Sequence, residues 1–323
     1  GFYMTLNIAF QMDPIENINI DEDSTFRIAE EAQKRGHNLF YFLPEDLTFF
    51  ENDIVCEGYQ LSVERKLEQH YSLGPRIKLN LINDVDILWL RQDPPFDMSY
   101  ITTTHLLDFL SQRTLVVNNP FWVRNYPEKL LVLQYPDLIP PTIIGRNINM
   151  LNLFKEKHGD VVIKPLYGNG GAGVFKIGKN DPNLNSLIEL FHNISREPII
   201  MQKYLPEVIS GDKRVILVDG SPVGAINRIP VQGEIRSNMH VGGRPARVEL
   251  TQRDLEICKR IGPLMKEKGQ VLVGLDIIGE MLTEINLTSP TGIQELEKFE
   301  NFNVAEKIWY CLENNYDIKF KQN

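Results

Sequence analysis

With 323 residues, 42% of them hydrophobic and 24% charged, the chain is long enough for two or three modest units around one cleft, and its composition excludes wholesale disorder. Its formal net charge of −9 argues against nucleic acid or an anionic membrane as the main partner, while leaving room for a basic site inside a cleft. Cys56, Cys258 and Cys311 lie too far apart for a disulfide framework or a metal spacing, and fit a reduced, cytoplasmic setting. No run approaches the ~18 apolar residues of a membrane helix, and no secretory signal is visible.

In chain order, residues 6–12 form an apolar strand candidate followed by the turn-rich stretch 13–20. Asp23 or Ser24 then caps a helix that ends at Gly36, where a left-handed residue is wanted. Residues 38–43, 86–90 and 115–118 are further buried strands, and alternation with helices implies a mostly parallel sheet. Ligands collect at the carboxyl ends of such strands, which places residues 13–19 and 91–97 at a site. A helix is expected over 127–133, broken by Pro140-Pro141. Strands 161–166 and 174–177 then flank a glycine loop in a small α+β unit. Two hairpins turn near Asp219-Gly220 and Gly279-Glu280, a polar, mobile loop spans 230–247, and a closing helix runs over 295–315. The expected division is an α/β unit at 4–122, a central unit at 123–203 and a C-terminal unit at 204–323.

Gly168, Gly170, Gly171 and Gly173 crowd one loop between strands, where backbone N–H groups can approach phosphate oxygens. The spacing is neither a P-loop nor a dinucleotide fingerprint, and by itself it also suits a tight turn. Lys164, on an apolar strand four residues earlier, is costly to bury without an anion; Lys129 is a weaker candidate, whose default reading is a surface lysine. Glu284 and Asn286 are two apart on a strand and leave on one face. Asp276 lies opposite Glu284 if the hairpin loop has three residues, and on the other face if it has two. Two carboxylates and an amide oxygen together suit Mg²⁺. Ser289 and Thr291 could hold a substrate carboxylate or simply shape the turn at Pro290. Arg91, Arg214, Arg228 and Arg236 offer forks for carboxylates and phosphates, though each alone suits a surface ion pair as well.

From Met12-Asp13-Pro14-Ile15 to Thr288-Ser289-Pro290-Thr291, these ordered blocks resemble the prokaryotic glutathione synthetases, ATP-grasp carboxylate–amine ligases. The resemblance also rests on Asp93-Pro94-Pro95-Phe96-Asp97, Gly211-Asp212-Lys213-Arg214 and Val273-Gly274-Leu275-Asp276. It implies an ATP-grasp fold behind an N-terminal parallel-sheet domain, with ATP clamped between the central and C-terminal units. Lys129 and Lys164 would contact phosphates under the glycine loop. Gln202, Lys203, Tyr204 and Leu205 would meet adenine, with Asp212 near the ribose. Asp276, Glu284 and Asn286 would hold two Mg²⁺ ions, with Mn²⁺ as a substitute. Arg214, Arg228, Arg236 and Asn238 would contact transferred phosphate or substrate carboxylates, and Asn17, Arg91, Ser289 and Thr291 the peptide. The implied substrates are γ-glutamylcysteine and glycine, and the implied assembly is a homo-tetramer. Two other readings stand beside it: a ligase of the same fold with another donor or acceptor, and a synapsin-like ATP-binding module that ligates nothing.

Overall fold

The computed structural model describes residues 4–168, 172–236 and 242–321. The first sheet contains β1 (Asn7–Met12), β2 (Asn38–Phe42), β3 (Thr48–Phe50), β4 (Asp53–Val63), β5 (Tyr71–Asn80), β6 (Ile87–Arg91) and β7 (Leu115–Val117). Strands β2, β1, β6 and β7 are parallel neighbours, and β4 extends them antiparallel, carrying β3 and β5. The parallel strands are apolar runs because both faces are covered. On one face, Ile8 and Phe10 pack with Phe26 and Ile28 of α1 (Ser24–Lys34); on the other, Ala9 and Leu88 pack with Tyr100 of α2 (Met98–Leu107) and Val123 of α3 (Pro120–Asn125). Asp23 caps α1 by accepting from the Phe26 N–H at 2.6 Å, as its position predicts. The β4–β5 pair has no counterpart in the sequence reading, because half-exposed β5, with Gly74-Pro75-Arg76, lacks an apolar run.

A second sheet, antiparallel throughout, has β8 (Thr142–Gly145), β9 (Val161–Pro165), β10 (Phe175–Ile177) and β11 (Ile199–Lys203) in the order β10-β9-β11-β8. Leu151 of α4 (Ile148–His158) and Ile188 of α5 (Leu184–Ile194) cover it, and these residues form a core of their own. The third sheet orders β14 (Arg244–Arg247), β13 (Ser221–Ile229), β12 (Asp212–Val218), β15 (Leu272–Ile278) and β16 (Met281–Asn286). Its first hairpin turns through Asp219 and Gly220, both at positive φ, the geometry that matches strand twist. Gly220 meets Gly262 of α6 (Gln252–Glu267) so closely that a Cβ on Gly262 would lie 2.1 Å from the Gly220 carbonyl oxygen.

Three expectations change. Residues 127–133 form no α-helix: the Glu128 carbonyl accepts from the Ile285 N–H on the edge of β16, and only a 3-10 turn, Leu131–Gln134, follows. Part of the expected loop 230–247 is β14, paired with β13; Pro245 is tolerated because the strand is at an edge. The closing helix is two helices, α7 (Ile293–Glu300) and α8 (Val304–Phe320), separated at Asn301, whose φ is +48°.

Helix α8 returns to the first sheet. Trp309 packs edge-on to Trp89 and donates its indole N–H to the Ile28 carbonyl at 2.8 Å, so the first and third sheets share one apolar core. Asn118, 4% exposed, fastens the same junction: its amide donates to the carbonyls of Leu272 and Leu287 at 2.9 and 3.0 Å and accepts from the Leu272 N–H at 3.1 Å. Replacing Asn118 by Ala leaves those backbone groups buried without partners, at about 2–4 kcal/mol. Thermal melts should show a clearly lower Tm; an unchanged Tm would mean that the bonds are replaced. Among the described residues no helix is long and apolar enough to cross a membrane.

Candidate active site

The hairpin of β15 and β16 carries the acidic residues. Its turn has two residues, Gly279 and Glu280, with Ile278 paired to Met281 and Ile277 to Leu282. That register alone would send Asp276 to the wrong face. A bulge corrects it: Thr283 is an extra residue, and Asp276 pairs with Glu284. The Thr283 hydroxyl donates to the Asp276 carbonyl at 3.1 Å within the bulge. Asn286 stands two residues beyond Glu284, and its amide donates to Asp276 Oδ2 at 3.1 Å.

Neighbouring strands bring cations to this face. Arg214 of β12 pairs in register with Asp276, and Arg228 of β13 with Asp212. Arg214 Nε lies 2.7 Å from Asp276 Oδ1, and its Nη1 donates to the Thr291 carbonyl at 3.1 Å. Gly274 makes room, since a Cβ there would lie 2.8 Å from Arg214 Cδ. Arg228 Nη2 is 3.1 Å from both Asp212 Oδ1 and Asp276 Oδ1. Burial would raise the Asp276 pKa, but Arg214 and Arg228 outweigh it and hold the carboxylate well below its usual range. Asp212 shows the opposite balance. Burial, with Asp276 and Glu284 nearby, outweighs Arg228 and pushes it up to about 6.

Two lysines face the hairpin. Lys129 is not a surface lysine but 3% exposed, and its ammonium donates to Glu128 Oε1 at 2.6 Å and the Gly168 carbonyl at 2.8 Å. Glu284 Oε1 is 3.6 Å from Lys129 Nζ and 3.8 Å from Lys164 Nζ. Burial lowers the Lys164 pKa, only partly opposed by Glu284. For Lys129 the carboxylates of Glu284 and Glu128 overcome burial and raise it. Gly168 and Gly173 wrap around Pro165, where a Cβ on Gly168 would lie 2.5 Å from the ring. Gly170, Gly171 and Asn238 lie outside the described residues.

These groups line one cavity of about 530 Å³ between the second and third sheets. Of the sequence-predicted residues, Lys129, Lys164, Gly168, Gln202, Lys203, Tyr204, Leu205 and Asp212 line it. So do Arg214, Arg228, Arg236, Asp276, Glu284, Asn286, Ser289 and Thr291. At one end Pro140, Val162, Val208 and Ile278 join Tyr204 and Leu205 in an apolar slot, where the Gln202 amide donates to Thr142 Oγ1 at 3.1 Å. Arg236 is paired with Glu234 at 3.0 Å.

Asn17 and Arg91 do not line this cavity. Arg91 is a buried strut instead: Nε donates to Thr25 Oγ1 at 2.8 Å and Nη1 to the Pro290 carbonyl at 2.9 Å, steadying the turn that presents Ser289 and Thr291. Asn19 and Asp93 also line the cavity, from the segments 13–19 and 91–97 that strand ends place at a site, whereas Glu128, Glu22, Asp23 and Glu295 line it with no such expectation from the sequence. Glu128 carries no periodicity signal. Only its proximity to Lys129 in the chain hints at a role, and its place follows from a backbone bond to β16.

Known proteins resemble this chain over nearly its whole length. The family model for the prokaryotic glutathione synthetase N-terminal domain matches residues 6–124, and that for the ATP-grasp domain of the same family matches 128–301. A glutathione synthetase of Brucella melitensis is 51% identical over 310 residues, covering 96% of this chain and 99% of the relative. One of Salmonella typhimurium is 42% identical and covers 90% and 93%. Among solved structures, the D-cycloserine synthetase DcsG shares the fold at a TM-score of 0.66 and 13% identity, covering 96% of this chain and 99% of that one. An ATP-grasp ligase, PsnB, with its minimal precursor superposes at 0.64 and 16%, covering 99% and 100%. A sheet face of alternating arginines and carboxylates, met by two lysines at the wall of a nucleotide-sized cavity, is thus set in a chain matched over nearly its whole length: it belongs to the prokaryotic glutathione synthetases and is an ATP-dependent ligase of ATP-grasp fold.

Proposed function

We propose that this ligase joins γ-glutamylcysteine to glycine, using ATP and releasing ADP and phosphate. The cysteinyl carboxylate attacks the γ-phosphorus and the bond to ADP breaks, giving an acyl phosphate. The neutral amine of glycine then attacks the carbonyl carbon, loses a proton, and phosphate departs with the bonding pair. A free carboxylate would have to expel oxide; phosphorylation supplies a good leaving group. Catalysis then consists of positioning and charge neutralisation.

The single observation that carries this reading is the convergence of Lys129 and Lys164 on Glu284, the partner of Asp276, at the wall of the cavity. The lysines are placed for phosphate oxygens and the apolar slot around Leu205 suits adenine. Arg228, which touches both Asp212 and Asp276, is placed for the transferred phosphoryl group.

Asp276, Glu284 and Asn286 fit a magnesium site by their donor chemistry. Among the described residues no three His, Cys, Asp or Glu side chains group so as to hold a metal ion by themselves. An open set of hard oxygens suits an ion that takes its remaining ligands from phosphates and water. Bound Mg²⁺ would neutralise phosphate charge during transfer. Two bound ions, Mn²⁺ substitution, cytoplasmic location and a homo-tetramer are further parts of the proposal, all of which rest on the family resemblance.

Phosphate release should require ATP, γ-glutamylcysteine and glycine together, with glutathione formed in equal amount. Release with another amine but not glycine would favour a different ligase of this fold. No release with any amine would favour a non-ligating ATP-binding module.

A further inference from the structure

Lys129 and Lys164 approach the same carboxylate oxygen, Glu284 Oε1, at 3.6 and 3.8 Å, but their other surroundings differ. Among the described residues Lys164 forms an ion pair with Glu284 alone. Lys129 has a second carboxylate, Glu128 Oε1 at 2.6 Å, and the Gly168 carbonyl at 2.8 Å. Two hydrogen-bond acceptors thus hold this ammonium at close range, and the Glu284 carboxylate stands farther off as an ion-pair partner. Glu128 is itself fixed from behind, because its backbone carbonyl accepts from the Ile285 N–H at 3.2 Å. It therefore rides on the strand that carries Glu284 and Asn286, and it lines the cavity without belonging to the predicted metal triad.

A buried ammonium follows its carboxylates, since leaving them is costly. If Glu284 were the sole anion near Lys129, the lysine and a divalent cation would contend for the same oxygens. Glu128 removes that conflict. We propose that Glu128 is a positioning residue that holds Lys129 at the phosphate end of the cavity, freeing Glu284 for the metal ion. The inference rests on the reading of Glu284 as a metal carboxylate, and it deepens that reading by dividing labour between two adjacent glutamates. Glu128 acts through Lys129 and has no contact with the reacting atoms.

The test is calorimetric titration of the full chain with ADP at a series of MgCl₂ concentrations, without peptide or glycine. Unaltered protein is compared with Glu128→Gln, Glu128→Asp and Glu284→Gln, each checked for folding by thermal melt. In Glu128→Gln, metal-free ADP binding should be at least as tight as in the unaltered chain, because one negative charge near the phosphates is gone. The MgCl₂ needed for half of the metal-dependent gain should rise about 10–100-fold, the usual cost of losing a partner that orients a metal ligand. Glu128→Asp, which keeps the charge, should stay within a few-fold of the unaltered chain. An unchanged magnesium requirement in Glu128→Gln would overturn the proposal. So would equal losses of ADP affinity with and without metal, which mark a purely structural role. If Glu284→Gln retains the full magnesium effect, the metal reading itself fails and takes this inference with it, a distinguishable result.

Discussion

Replacing Glu284 by Gln should lower kcat/KM by about 10²–10³-fold, the equivalent of several kcal/mol of lost transition-state stabilisation. Glu284 stands opposite Asp276 and within 4 Å of both cavity lysines, so the amide removes one of the two paired carboxylates and the anion that Lys164 faces. Gln keeps the size and the β16 backbone, which separates charge from shape. Steady-state kinetics across MgCl₂ concentrations check it. Near-normal turnover with an ordinary magnesium response would remove Glu284 from the site.

Arg228→Met should show a comparable fall, about 10²–10³-fold in rate, as when one preorganised donor to a developing charge is lost. A stability loss of about 3–5 kcal/mol should accompany it, because two buried carboxylates lose a shared partner. The same Arg228 nitrogen lies 3.1 Å from Asp212 and from Asp276. Arg228→Lys should recover little, since a single ammonium on a flexible stem cannot bridge both carboxylates and also replace the Nε–H that donates to the Asp212 carbonyl at 3.2 Å. Kinetics and denaturant unfolding together decide: a rate loss without a stability loss would mean that Asp212 and Asp276 find other partners. Full activity in either variant would show that this fork does not serve the reaction.

Much of this site is legible in the sequence, for identifiable reasons. Strand-bound residues obey a period of two, so Glu284 and Asn286 share a face whatever the wider fold. Asp276 is more instructive. Its pairing with Glu284 is as expected for a three-residue loop, yet the loop has two residues and Thr283 bulges out to restore the register. Local spacing alone leaves that choice open. Arg91 shows the opposite limit. Its guanidinium meets groups 66 and 199 residues away in the chain, Thr25 and Pro290, and no local pattern announces either. Lys129 reads as a surface residue until Glu128, Gly168 and Glu284 surround it. Strands β5 and β14 escape because edge strands carry polar residues and prolines that blunt an apolar signal.

The way the hydrophobic interior is divided sets the mechanical character of the molecule. Trp309, Trp89 and their neighbours weld the first and third sheets into one block, so prising these apart would wet a large oily surface. The second sheet keeps its interior to itself, so tilting it as a body leaves that core intact. On the proposed reading of the site, the residues that would face the acid group sit on the jointly packed block, and the cover over the nucleotide is the cheaper part to swing.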